Sequence, residues 1–137
     1  MLTIFPSLLV FGFFVPTLLR ITLAATFAYQ AIGHFKHKKE VGEELDQKFK
    51  FISRESAVWL GGLLILAELA VGTLLFVGAW TQIAAILAAL GFAKMAYFND
   101  TLPTYAPLPR STYFLLIVIS IAVLVSGAGA FAFDLPL

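Results

Sequence analysis

Four long apolar stretches dominate this chain, and they leave it little choice of solvent. They run from about Leu8 to Gly33, from Ala57 to Val77, from Thr81 to Phe98 and from Thr112 to about Phe131. Each holds roughly 18 or more mainly apolar residues, enough at ~1.5 Å per residue to cross a ~30 Å hydrocarbon layer. They make the 137-residue chain 61% hydrophobic and only 12% charged. A soluble domain carries about a quarter charged residues, so this chain cannot coat a water-soluble globule. A β-barrel needs at least about eight alternating strands, and these runs do not alternate. The expected fold is all-α: an antiparallel bundle of four transmembrane helices in a single domain. The spans are expected at about residues 13–33, 57–77, 81–98 and 112–131.

Charge and cysteine content narrow the chemistry. The net charge is +1 and there is no cysteine. The first gives no bulk electrostatic case for nucleic acid. The second removes disulfides, thiolate nucleophiles, Fe–S ligation and thiolate metal sites. His34 and His37 are three apart and could share a metal with Glu40 or Glu44. A mixed-charge helix end produces that spacing by chance, so no metal is expected. Nor is haem, because residues three apart on one helix cannot clasp opposite faces. No glycine-rich phosphate loop or nucleophile elbow is present. The N-terminal stretch lacks a basic n-region and carries Arg20 inside its apolar run, so it is expected to be retained rather than cleaved.

Several residues act as rulers. Pro16 suits the first turn of a helix, where its missing N–H is unpaired anyway. Residues 5–15 are then a short re-entrant or interfacial segment, or the start of one helix kinked at Pro16. Trp59 and Trp80 lie 21 positions apart, ~31 Å along a helix, and indoles favour the two membrane interfaces. Gly78, Ala79, Trp80 and Thr81 make a tight turn between the second and third spans. The loop 34–56 carries Lys36, Lys38, Lys39, Lys48, Lys50 and Arg54, and the loop 99–111 carries Arg110. The N-terminal flank, the turn at Gly78 and the C-terminal tail carry none. The positive-inside rule puts both basic loops in the cytoplasm and both termini outside. Helix 1 is expected to continue past the membrane as a solvated, partly amphipathic helix, with Phe49, Phe51 and Ile52 lying back on the interface. Pro103, Pro107 and Pro109 predict a stiff extended second loop. Tyr29, Tyr97, Tyr105 and Tyr113 fit interface belts.

Three ionisable residues fall where lipid should be: Arg20, Glu68 and Lys94. Each costs ~2.5–3.5 kcal/mol at the centre of a helix. Counted from the turn at Ala79, Glu68 and Lys94 lie ~17 and ~22 Å deep, and Arg20 lies ~18 Å deep if helix 1 starts at Leu8. On that register the three charges share one layer; if helix 1 enters only at Pro16, Arg20 is ~6 Å deep and the coincidence weakens. Arg20, Ala24, Phe27, Ala31 and His34 form one stripe of helix 1, and Gly61, Ile65, Glu68, Gly72 and Leu75 form one of helix 2. Gly61, Gly72 and Gly91 are expected to allow close helix approach. One expectation is an Arg20–Glu68 salt bridge that fixes packing, with Lys94 snorkelling to the interface. The other is a site in which the excess positive charge receives an anion, a carboxylate or a quinone oxygen.

Three ordered stretches carry a family resemblance. The first is FPSLLVFGFFVPTLLRITLAATFAYQAIGHFK. The second is WLGGLLILAELAVGTLLFVGAWTQIAAILAAL, and the third is the tail SGAGAFAFDLPL. Together they resemble the DoxX family of small four-helix membrane proteins. Arg20 stands at that family's helix 1 arginine. Glu68, Gly72, Gly78 and Thr81 match its Glu, Gly, Gly and Thr spacing, and Asp134 its glycine-rich ending with an aspartate. The long charged first loop, Gln82 in place of a basic residue and the proline-rich second loop depart from the family pattern.

Some relatives resemble the membrane subunit of a thiosulfate:quinone oxidoreductase. Others are associated with redox or detoxification complexes, and eukaryotic relatives include receptor-assembly factors. The resemblance implies an integral subunit of a quinone-linked redox complex in a bacterial inner membrane. A quinone would be its cofactor, and a membrane protein or a second copy its partner. The chain shows no catalytic motif of its own. The alternatives are a non-catalytic scaffold or assembly subunit, and a carrier for a small anion or lipid.

Overall fold

A computed structural model describes residues 12, 14–48 and 54–134, with the side chain of Arg54 left aside. The described residues form five α-helices and no strand: α1 Val15–Lys36, α2 Lys38–Lys48, α3 Arg54–Val77, α4 Thr81–Phe98 and α5 Arg110–Ser126. By length and composition α1, α3 and α4 can each cross a membrane. The apolar α5 has 17 residues, at the short end of what a span needs. The suggested segment 5–15 and the interfacial Phe49, Phe51 and Ile52 lie outside the described residues, apart from Gly12, Phe14 and Val15.

Two local rules set the frame. Pro16 sits in the first turn of α1, where it forfeits no helical hydrogen bond. Gly78 has φ +73° and Trp80 φ +50°, and these two left-handed residues fold α3 directly into α4. Both tryptophans are exposed, as interface anchors would be.

The stripes expected on α1 and α3 are the buried ones. Arg20, Ala24, Phe27, Ala31 and His34 face inward from α1, and Gly61, Ile65, Glu68, Gly72 and Leu75 from α3. At Gly72 the helices meet closely: a Cβ there would stand 3.2 Å from Phe27 Cβ and 3.5 Å from the Ala24 carbonyl. Gly91 of α4 receives the tip of the same phenylalanine ring, and Gly61 faces Val41 of α2. Phe27 and Phe92 pack with ring centroids 4.6 Å apart. Ala84, Ala85 and Ala88 are fully buried. Small residues let backbones approach, which is how helices pack where lipid is as apolar as leucine.

Four expectations need correction. Helix 1 kinks at His37 and continues as α2, but α2 is not merely a solvated connector. Val41 and Leu45 are 2% and 4% exposed, and Gly42 lies against Val58 at the start of α3. The second loop is folded, not extended. The Asn99 amide donates to the carbonyls of Ala106 and Leu108, and Leu102, Tyr105 and Ala106 are buried. Tyr105 and Tyr113 therefore leave the interface belt for the core, while Tyr29 and Tyr97 stay exposed. The last helix stops at Ser126 instead of residue 131. Gly127 (φ +79°) and Gly129 (φ +70°) turn the chain back over the end of the bundle, conformations in which only glycine is unstrained.

Candidate functional site

The expected single charged layer is two separate polar centres. Arg20 and Glu68 do not meet. Val15 begins α1, so Arg20 lies little more than one turn inside the helix, near the α3–α4 turn. Glu68 sits in the middle of α3, and its partner is His34, near the other end of α1. The helical register separates them: His34 lies fourteen positions along α1 from Arg20, ~21 Å at helical rise.

At the turn end, Arg20 is 1% exposed. Its guanidinium donates to the carbonyls of Ala128 and Phe131 at 2.7 and 3.2 Å. The Thr17 hydroxyl donates to Ala130 O at 2.6 Å. The tail then runs on until the Asp134 N–H reaches Gly78 O. The Asp134 carboxylate accepts the backbone N–H groups of Trp80 and Thr81 at 2.8 and 2.5 Å. It thus caps α4 from 53 residues away, where Trp80 has no side chain able to do so. A Cβ on Gly78 would overlap the Arg20 guanidinium and Ala132. This centre latches the tail over the bundle, although Arg20 Nε and the Thr81 hydroxyl are buried there without a partner.

Asp134 makes the latch sensitive to acid. Partial burial pushes its carboxyl up, but the Thr81 and Trp80 N–H donors and the Arg20 charge outweigh this and hold it below the ordinary 3.8. A carboxyl depressed in the folded state contributes stability that is present above its unfolded value and lost as pH falls through the folded one. The latch is expected to hold at neutral pH and release below about pH 4. Trp80 fluorescence in a Trp59→Phe background, titrated from pH 7 to 3, checks this. Asp134→Asn should flatten the transition.

The second centre lies between α1, α3, α4 and the α4–α5 loop. His34 is 2% exposed and Glu68 6%. His34 Nδ1 is 2.7 Å from Glu68 Oε2, and Nε2 is 2.7 Å from the carbonyl oxygen of Tyr105. A carbonyl only accepts, so Nε2 carries a hydrogen. The Nδ1–Oε2 contact then holds one further proton, on the imidazole or on the carboxyl. The pair is neutral overall in either state, and that proton can move between its members.

The surroundings fix this pair. The Tyr105 ring stacks on His34 with centroids 5.1 Å apart. Lys94 Nζ stands 5.2 Å from the centroid of the same Tyr105 ring, within electrostatic reach of Glu68. Lys94 is half-buried. Glu44 of α2 accepts the N–H groups of Thr104 and Tyr105 at 3.0 and 3.3 Å, so α2 holds the loop that holds His34. Burial, followed by the nearby Glu68 charge, raises the Tyr105 phenol well above its ordinary value and keeps it protonated.

Several buried polar atoms here have no partner: both amide atoms of Gln30, Oε1 of Glu68 and the Tyr105 hydroxyl. Such atoms cost roughly 1–3 kcal/mol each when left unmatched. Beside them a groove of about 470 Å³ opens between α1 and the α4–α5 loop, with Gln30, His34, Thr104 and Pro107 on its walls. Exposed Tyr29 and Ile32 flank one side of it, and Lys36, His37 and Glu40 its polar end.

The sequence named Glu68 and Lys94 for this centre and wrongly added Arg20. It placed His34 on the buried stripe without giving it a role, and it missed Gln30 and Tyr105. His37 is exposed and bonds Glu40 at 3.0 Å, while His34 turns inward, so the two cannot share a metal. Among the described residues no cluster of His, Asp and Glu has the makings of a metal site.

The model of the protein family described as DoxX matches residues 15–99. That is well over half of the chain, and it spans α1 to α4 with both Arg20 and the His34–Glu68 pair. No curated protein and no solved structure matches the chain. The chain belongs to the DoxX family and is an integral membrane protein.

Proposed function

We propose that this DoxX-family chain is the membrane subunit of a quinone-linked redox complex, and that it takes the quinone head group in the groove beside His34. The observation that carries this is the groove itself. Exposed Tyr29 and Ile32 border it on a side we take to face lipid, and a movable proton and unmatched polar atoms lie on or behind its wall. A bound quinone supplies two-electron, two-proton chemistry. The chain's own residues do the rest. The Gln30 amide can donate to a carbonyl oxygen or accept from a hydroxyl. His34 is the member of the proton-sharing pair that lines the groove, and Glu68 behind it takes up or returns the proton. Lys94 holds a positive charge beside the pair. Electrons come from a partner subunit, because a chain without cysteine cannot ligate an Fe–S cluster with thiolates. The lysines and arginines of loops 34–56 and 99–111 support a cytoplasmic side for α2 and the polar end of the groove, and we take the membrane to be a bacterial inner membrane.

Protein purified from native membranes into lipid nanodiscs is expected to retain quinone, quantified by extraction and chromatography. Gln30→Leu should lower its binding about tenfold, the worth of one or two buried hydrogen bonds. No retained quinone, together with no binding of a short-chain quinone added back, sinks the proposal. The Arg20 latch, which ties the tail to the α3–α4 turn through the contacts of Arg20 and Asp134, is the observation that favours the second reading, a scaffold subunit. In that case both centres only fix the fold.

A further inference from the structure

We infer that a second groove, on the opposite side of α1, binds one anionic phospholipid. It lies between the end of α1 and α3, measures about 490 Å³ and is lined by Phe35, Trp59, Leu66 and Leu69 among others. Its one charged wall residue is Lys38. A lysine at a membrane boundary normally snorkels toward water. This one lies down over Gly62, where its Nζ is 3.7 Å from the position a Cβ would take. Gly62 is three residues along α3 from Trp59, so the ammonium sits ~4.5 Å inside the tryptophan. Among the described residues Lys38 has no ion-pair partner.

An apolar trough topped by an unpaired cation, at the basic end of the bundle, matches a lipid with a negative head group. One acyl chain lies along Leu66 and Leu69, and the phosphate meets Lys38. Basic pockets between helices on this side of a membrane take such head groups. Gly62 makes the site possible, because a larger side chain would occupy the place of the lysine. The inference does not rest on the quinone reading, since none of the residues named here lines the other groove.

Native mass spectrometry of detergent-released protein, titrated with phosphatidylglycerol or phosphatidylcholine, tests it. One saturable phosphatidylglycerol adduct is expected, about fivefold tighter than phosphatidylcholine, as one lysine near the surface supplies. Lys38→Gln should erase that preference, and Lys39→Gln, outside the groove, should keep it. Gly62→Leu should weaken both lipids, while Gly62→Ala, which fits beside Lys38, should bind normally. Matching thermal unfolding of the two Gly62 variants confirms that folding is intact; if Gly62→Leu misfolds, the Lys38 and Lys39 variants decide alone. Equal binding of the two lipids, the same loss with Lys39→Gln, or full displacement by glycerol 3-phosphate overturns the inference.

Discussion

Arg20→Leu is expected to cost about 3–5 kcal/mol, the range for removing one partner of a buried charged contact. The loss has three sources. The carbonyls of Ala128 and Phe131 lose their donor, the Asp134 carboxylate loses a nearby cation, and a void opens beside Gly78. Arg20→Lys should recover little of this, because a single ammonium cannot reproduce the fork that holds two carbonyls. Thermal unfolding in detergent measures the cost. Limited proteolysis of the tail after Ser126 shows whether the latch has opened. Glu68→Gln should leave that proteolysis unchanged, because Glu68 belongs to the other centre. Were Arg20 paired with Glu68, both variants would loosen the same contacts.

The second large effect is at the pair itself. His34→Phe leaves the Glu68 carboxyl buried beside an apolar ring and removes the donor to Tyr105 O. It should cost about 3 kcal/mol or more. Glu68→Leu should cost a similar amount, by leaving Nδ1 and its proton unmatched. The double variant should be milder than the sum, with a coupling energy of up to about 3 kcal/mol. Lys94 moderates the first loss and worsens the second. The cycle has one further readout: a quinone held by these groups would be lost in all three variants, whatever their stability. A pair that only locks the fold would show the coupling and leave quinone binding to track stability.

Much of the fold could be read from the sequence because lipid imposes one simple rule on length and polarity. Helix α4, the third apolar run, begins and ends where that run does, at Thr81 and Phe98. The buried stripes follow from small residues at helical spacing. Two kinds of information were missing. The first is what the chain does after it leaves a helix. The tail from Gly127 looks apolar enough to continue the last span, and only its two left-handed glycines and the distant Asp134 cap turn it back. Asp134 and Arg20 were both visible as residues of interest, but nothing in the sequence pairs them across more than a hundred positions. The second is burial within loops. Three prolines suggested an extended connector, yet Asn99 gathers the loop and drives Tyr105 into the core. Because Tyr105 supplies its carbonyl to His34, the site could not be assembled without that fold. His34 itself lay on the correct stripe, and it was set aside because it adjoins a charged segment.

The depth of Arg20 turned on where the first helix begins. A start at Leu8 puts Arg20 level with Glu68, and a start at Pro16 puts it near the end of the span. The helix described here begins at Val15, and the shift moves Arg20 to the end of the bundle. The inward stripe then carries His34, not Arg20, into contact with Glu68. Family membership covers both centres but does not by itself say what either does.

The central claim is that the groove beside His34 takes a quinone head group. Photolabelling in native membranes with an azidoquinone, followed by peptide mapping, tests it most directly. The account predicts label on the segments of Gln30–His34 and Thr104–Pro107, competed by excess unlabelled quinone and lost in Gln30→Leu. Label spread evenly over the lipid-facing helices, or concentrated at the Arg20 end, would contradict it.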